Sequence, residues 1–272
     1  MASWSDLRDA HERLAAAGSV IVVGGGAAAV SSALNMARTW PDKRIDLYFP
    51  GETALRGHHP RAWRRLHARL TRLGVGVHPG HRAVLPDGFA GDELTSRPVH
   101  WSTGQPPAGA DAVLWAIGRV RPSTGWLPAE LLDERSFVRV TPQLRVAPQL
   151  RVPGHPGVFA VGDVAATDPL RSSARNRGDV LVARNVVAGF TGRPLRGFRP
   201  LRGFRAPRRR WGSLVGIQPD GLEVFFPSGH TVRIPSWSVQ RVVMPLIVRW
   251  GMYGGVRRND PLRRETATPP TL

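Results

Sequence analysis

Two short segments carry the residues best suited to chemistry. In the first, an apolar run from Ser19 to Val23 enters Gly24, Gly25 and Gly26, and Ala29 completes a GxGxxA spacing before a helical pattern begins. Glycine permits a tight turn and lets backbone approach a pyrophosphate. The helix amino terminus aims N–H groups at the same phosphates, and a small third residue lets helix and strand pack closely. Strand, turn and helix in that order make the match far more specific than a bare glycine pattern. In the second segment, Val158 to Val161 leads into Gly162 and Asp163. This places one carboxylate at the end of a buried strand, where a flavin ribityl chain would meet it; a simple helix N-cap is the alternative. Gly118, closing the run DAVLWAIG, is a third point where backbone passes near a ligand, with a plain turn glycine as the other reading.

Recognition of a nucleotide ribose calls for an acidic residue about 20 positions after the fingerprint, at the end of the second strand. That place holds Phe49 and Pro50. Glu52 is near enough to substitute, and Arg56 is placed to accept a 2'-phosphate instead, so NAD and NADP both stay open. His58 with His59 and His78 with His81 lack carboxylates at a zinc spacing, so no metal site is assigned. No Ser, His and Asp set can be read from order alone, and no catalytic side chain is named.

The elements that must position these residues follow from periodicity. A polar helix covers residues 5–17, and SVIVVG has the length of a buried parallel strand. Val30, Ala33, Leu34 and Ala37 share one face of the next helix, and Arg44 to Phe49 supplies a second strand. A helix from Arg61 to Leu73 turns Trp63, Leu66, Leu70 and Leu73 inward and ends at Gly74. Short extended pieces between Gly80 and Ser102 predict a small antiparallel insertion, and Asp111 to Gly118 a buried strand. After further extended pieces around residues 136–146, VFAVGD is expected to return to the parallel core, followed by a helix from about Ser172 to Ala188. The segments SLVGI, LEVFF and HTVRI predict a three-stranded meander. Val239, Val242, Val243, Leu246, Ile247 and Trp250 line one face of a final helix that Pro245 must start or kink.

Composition bounds what such a chain can do. At 272 residues and 42% hydrophobic content it can bury a sizeable core. It contains no cysteine, which excludes disulfides, thiolate metal sites and electron transfer through a CxxC pair. No run of about 18 apolar residues and no signal-peptide pattern is present, so an intracellular, cytoplasmic protein is expected. The net charge of +18 comes almost wholly from arginine, Lys43 being the single lysine. Such a surface attracts anionic cofactors, lipid headgroups or nucleic acid. Nucleic acid is the least favoured, because no recognition motif accompanies the charge. Residues 193–210 form an arginine-rich linker carrying PLRGFR twice, at Pro194 to Arg199 and Pro200 to Arg205.

The stretches VIVVGGGAAAV, RIDLYF, LWAIGRVRPST and GVFAVGDVAATDPLRSSARNRG resemble the flavoproteins with two dinucleotide-binding domains, especially type II NADH dehydrogenases and apoptosis-inducing-factor-like NAD(P)H quinone reductases. The resemblance runs from about Ser19 to Arg193 and continues more weakly to Arg258. It implies an α/β chain of Rossmann-like FAD- and NAD(P)-binding domains with parallel sheets, an incomplete flavin domain and a small C-terminal α+β domain. By the same resemblance Gly24, Gly25, Gly26 and Ala29 hold NAD(P)H, with Glu52 and Gly118 at the edges of that site. Gly162 and Asp163 match the second flavin motif, and the helix after it faces the isoalloxazine. Ser31 departs from the glutamate usual shortly after the fingerprint. The N-terminal part of the flavin domain has no counterpart here, so an N-terminally truncated enzyme is expected, or one completed by a separate flavin-binding chain. The implied division is a connecting helix over 1–18, an NAD(P)-binding domain over 19–118 and the C-terminal part of the FAD-binding domain over 119–192. The linker over 193–210, a small domain over 211–258 and a disordered tail over 259–272 follow. The implied reaction passes a hydride from NAD(P)H to FAD and electrons to a small, quinone-like acceptor, with peripheral contact at the inner face of a membrane. The alternative is a non-catalytic NAD(P)-binding remnant.

Overall fold

The computed structural model describes residues 4–89, 94–117, 122–140, 151–152, 155–166, 178–192 and 209–247. Four parallel strands form the centre: β1 (Ser19–Val23), β2 (Arg44–Tyr48), β3 (Gly76–His78) and β4 (Ala112–Trp115), in the order β3-β2-β1-β4. The chain reaches β1 through α1 (Trp4–Ala16). Between the strands run α2 (Ala27–Thr39) and α3 (Pro60–Arg72). The apolar run of β1 is continuous because both faces of the sheet are covered. Val20 and Val22 join Ala112, Ile45 and Leu47 beneath α2 and α3, while Ile21 and Val23 meet Val99, Trp101, Val113 and Trp115 on the other side. That opposite face is closed by the expected insertion, whose bridges Ala83 to Trp101 and Val99 to Ala108 are antiparallel.

Helix α3 buries Trp63, Leu66 and Leu70, as its spacing predicts, together with Ala62, while Leu73 is partly buried; Arg61, Arg64, Arg65 and Arg72 face outward, but Arg69 is largely covered. Each fully buried leucine contributes on the order of 2 kcal/mol of hydrophobic stabilisation. The start of β1 is fixed by Asp111, whose carboxylate accepts from the Ser19 amide at 2.8 Å and the Ser19 hydroxyl at 2.9 Å. These hydrogen bonds, the hydroxyl first, hold its carboxyl below the usual aspartate range.

The second half corrects one expectation. VFAVGD does not return to the parallel sheet: β6 (His155–Phe159) pairs antiparallel with β5 (Arg151–Val152) in a sheet of its own. An apolar run does not reveal which neighbour it will find, and a partner a few residues upstream closes at little entropic cost. Val158 is accordingly 43% exposed, so this is not a buried central strand. A small separate core of Leu131, Val138, Val140, Ala160 and Ala165 packs nearby, and α4 (Gly178–Phe190) follows.

The C-terminal meander forms as expected: β7 (Gly212–Gln218), β8 (Gly221–Phe225) and β9 (Thr231–Ile234) are antiparallel in sequence order. It docks on the side of the parallel sheet that carries α2 and α3, where Leu214, Val215 and Phe225 enter the main core. Glu223, only 3% exposed, pairs with Arg65 and lies 3.9 Å from Arg69, while Asp220 lies 3.5 Å from Arg69. After Ser236–Ser238 the final helix widens to a π turn over Val239–Val243 before Met244–Leu246, consistent with the missing amide of Pro245. Its face is not packed: Val239 is buried, but Val242, Leu246 and Ile247 are about half exposed. Trp250, the tandem PLRGFR repeat and the residues from 248 onward lie outside the described residues.

Candidate functional site

The glycine turn closes where β1 hands over to α2. Gly24 donates its N–H to the Tyr48 carbonyl at 2.8 Å, and Ala116 donates to the Val23 carbonyl at 2.8 Å, so the turn sits between β2 and β4. Gly24 has φ +142°, and a Cβ there would drive into the Ala116 carbonyl, with the carbonyl carbon at 2.8 Å. Only glycine fits. Ala29 is buried in the helix–strand contact, where a larger side chain has no room. Gly26 is different: as the N-cap of α2 it has ordinary backbone angles, φ −87° and ψ 179°, and a Cβ built on it meets nothing within 4 Å. The space over Gly26 is therefore open at a helix amino terminus, where unsatisfied amides are presented. The first intrahelical bond, from Val30 to the Gly26 carbonyl, leaves the amides of Ala27, Ala28 and Ala29 without an acceptor inside the helix.

The loop after β2 folds back on this turn. Leu55, buried and left-handed at φ +58°, donates its N–H to the Gly25 carbonyl at 2.7 Å. Phe49, at the position expected for a ribose-binding acid, is 1% exposed and packs edge-on against Trp63 at 5.4 Å. Glu52 is exposed on the loop, and the Arg56 guanidinium lies against Gly51. Leu55 was not legible as a site residue, because nothing in its side chain signals a backbone role.

Gly118 lies outside the described residues. Gly162 and Asp163 occupy a short 3-10 turn directly after β6, and the Asp163 side chain is exposed. That turn sits on the small core with Ala165, apart from the core that carries the glycine turn, so the structure assembles Gly24, Gly25, Gly26 and Ala29 but leaves Asp163 on a separate element. Ala165 hydrogen-bonds back to the Gly162 carbonyl at 3.2 Å, and Asp163 caps no described helix. His78 bonds to Asp46 at 2.8 Å and stacks on Tyr48, and His81 meets the same ring edge-on. Burial first, then the neighbouring Asp46, push the Tyr48 hydroxyl above the usual tyrosine range. A cavity of about 480 Å³ lined by these groups and Trp101 lies on the insertion-covered side of the sheet and includes no residue of the glycine turn. Among the described residues no group of three or more His, Cys, Asp or Glu is placed to hold a metal ion.

A parallel sheet in the order β3-β2-β1-β4, with a glycine turn leading from β1 into α2, defines an α/β dinucleotide-binding domain. The family model for pyridine nucleotide-disulphide oxidoreductases matches residues 5–185, and the chain belongs to that family. It is 28% identical over 192 residues to the oxidoreductase ptaL of Pestalotiopsis fici, covering 69% of this chain and 48% of that protein. The chain thus spans about half the length of the curated relative it matches. Among solved structures it is similar to the water-forming NADH oxidase of Lactobacillus brevis bound to NADH, with a TM-score of 0.56, 17% identity, and 89% of this chain against 48% of that one. A ferredoxin reductase from Rhodopseudomonas palustris gives a TM-score of 0.55 at 18% identity, over 82% of this chain and 56% of the other. These likenesses support the Rossmann-like reading of the fold.

Proposed function

We propose that this polypeptide is the nucleotide-binding part of a flavin-dependent oxidoreductase, passing a hydride from NAD(P)H to FAD and electrons to a quinone-like acceptor. The observation that carries the reading is the open space over Gly26, framed by the close backbone approach at Gly24 and by the amino terminus of α2. In this reading residues 19–118 form the NAD(P)-binding domain, with Gly24, Gly25, Gly26 and Ala29 along the pyrophosphate and Glu52 and Gly118 at its margins. Residues 119–192 are the C-terminal part of the FAD-binding domain, 193–210 the linker and 211–258 the small C-terminal domain. The exposed carboxylate of Asp163, on a turn with Gly162, suits the hydroxyls of a ribityl chain. Bound flavin would supply the hydride-accepting chemistry; this chain's residues bind and orient. Because the chain contains no cysteine, none of its own residues forms a redox disulfide. No helix among the described residues is long and apolar enough to cross a membrane. The half-exposed Val242, Leu246 and Ile247 suit instead a peripheral contact where a quinone is reached.

One observation favours the second reading, a nucleotide-binding subunit that needs a separate flavin-binding chain: β6 joins a two-stranded sheet rather than a flanked parallel one. The visible spectrum of the purified chain after incubation with FAD, followed by anaerobic NADH or NADPH, separates the two. Bleaching of a retained flavin band is expected of the enzyme. Nucleotide binding without retained flavin selects the subunit, and failure to bind either nucleotide refutes both.

A further inference from the structure

The loop after β2 gathers arginines that the glycine turn does not use. The Arg56 guanidinium lies so close to Gly51 that a Cβ there would be 2.9 Å from Nη2 and 3.0 Å from Cζ. Arg210, just ahead of β7, donates its amide to the Gly57 carbonyl at 2.7 Å, and its side chain runs 3.4 Å from a Cβ placed on Gly57. The turn between β8 and β9 closes the arrangement, since a Cβ on Gly229 would lie 2.8 Å from His59 Cγ. Arg61 and Arg64 stand in the first turns of α3, directly after the loop, and Arg209 directly precedes Arg210; burial first, then the charges of Arg209, Arg61 and Arg64, hold the His59 imidazole below its ordinary value. Among the described residues none of Arg56, Arg61, Arg64, Arg209 and Arg210 lies within 4.0 Å of a carboxylate. Arg65, Arg69 and Arg233, by contrast, each pair with Asp220 or Glu223.

This uncompensated charge stands at the ribose edge of the turn, because Leu55 of the same loop is bonded to Gly25. An acid at the end of β2 would bind the ribose hydroxyls of NAD and repel a phosphate, but the buried Phe49 occupies that place. Glu52, the carboxylate of this loop, is exposed and pairs with none of these arginines among the described residues. Arginine presents a planar fork of donors that matches phosphate oxygens and is always charged.

We propose that this cluster, built jointly from the β2–α3 loop and the start of the C-terminal sheet, binds the 2'-phosphate of NADP(H), with Arg56 and Arg210 as its principal contacts. The chain then selects NADP(H) over NAD(H), and the C-terminal sheet is part of the nucleotide site. This rests on the nucleotide-binding reading above.

The test is calorimetric titration of the full chain with NADPH and NADH, and with adenosine 2',5'-bisphosphate and 5'-AMP as flavin-independent probes. NADPH and the bisphosphate are expected to bind at least about tenfold more tightly than NADH and AMP, roughly the value of one good charge-assisted contact. R56S and R210S should each remove most of that difference while leaving NADH affinity within about twofold and Tm unchanged, both side chains being exposed. R139S, at an exposed arginine of the small core, should have no effect. NADH binding as tightly as NADPH, or R139S weakening NADPH as much as R56S does, overturns the proposal. So does equal weakening of both nucleotides by R56S and R210S. A folded chain that binds neither nucleotide overturns the underlying reading and the proposal with it.

Discussion

Gly24 and Gly26 stand two residues apart in one turn, yet their replacement by alanine should have opposite consequences. At Gly24, φ +142° and the overlap with the Ala116 carbonyl both penalise a methyl. Backbone strain of about 1–3 kcal/mol and overpacking of similar size give about 2–5 kcal/mol of destabilisation. That is a large fraction of a typical domain's stability and lowers Tm by on the order of 10 °C. At Gly26 the angles suit any residue and a methyl touches nothing, so G26A should cost only about 0.5–1 kcal/mol, the difference between glycine and alanine at an N-cap. The same methyl occupies the space through which a pyrophosphate must pass to reach the α2 amides. Losing one or two such contacts corresponds to roughly a 10–100-fold weaker Kd. Thermal unfolding and nucleotide titration of both variants form the assay. G26A that folds normally and binds NAD(P)H as tightly as the parent would refute the placement of the pyrophosphate over this turn. G24A with an unchanged Tm would refute the close-approach argument.

Other perturbations test how the parts are held. E223A removes the buried carboxylate joining the C-terminal sheet to α3, which takes away the ion-pair partner of Arg65 and leaves Arg69 and Arg233 sharing Asp220. Because those arginines retain some access to water, about 1–3 kcal/mol is expected, read as a lower midpoint in urea. His59 accepts the Arg61 amide through Nδ1 at 3.2 Å, and its basicity is lowered in the fold. The unfolded chain therefore protonates first, and stability should fall as pH drops through about 6.5 towards the lower folded value. H59N, which still caps α3, should flatten that slope in a Tm series from pH 8 to 5. For Asp111 the folded carboxyl is held low, so its stabilisation is present above about pH 3.9 and lost as pH falls through the folded value. D111A should lower Tm at neutral pH and reduce the steepness of acid unfolding, and equal acid profiles would show that the Ser19 anchor contributes nothing.

The parallel half was readable in the sequence because its signals are local. A continuous apolar run means a strand covered on both faces, spacings of three and four mean a helix face, and Gly24 with Ala29 marks where backbone must come close. The meander was readable for the same reason, from turn residues at Asp220 with Gly221 and at Pro227 to Gly229. VFAVGD misled because apolar content alone does not distinguish a flanked central strand from one arm of a local pair. The final helix forms over the described part of its expected span, but periodicity gives a face without saying whether anything covers it.

What the sequence by itself determined is the parallel α/β scaffold and its glycine turn, since both depend on neighbours within a few positions. Tertiary structure alone decided that Leu55 closes over Gly25, and that the C-terminal sheet docks on α2 and α3 rather than on the small core. It also brought Arg210 to a loop more than a hundred residues earlier in the chain. Those contacts arise from burial of Leu214, Val215 and Phe225 and from pairing of Glu223 with arginines on another element. Such choices are settled by the free energy of the assembled core, which no local pattern encodes.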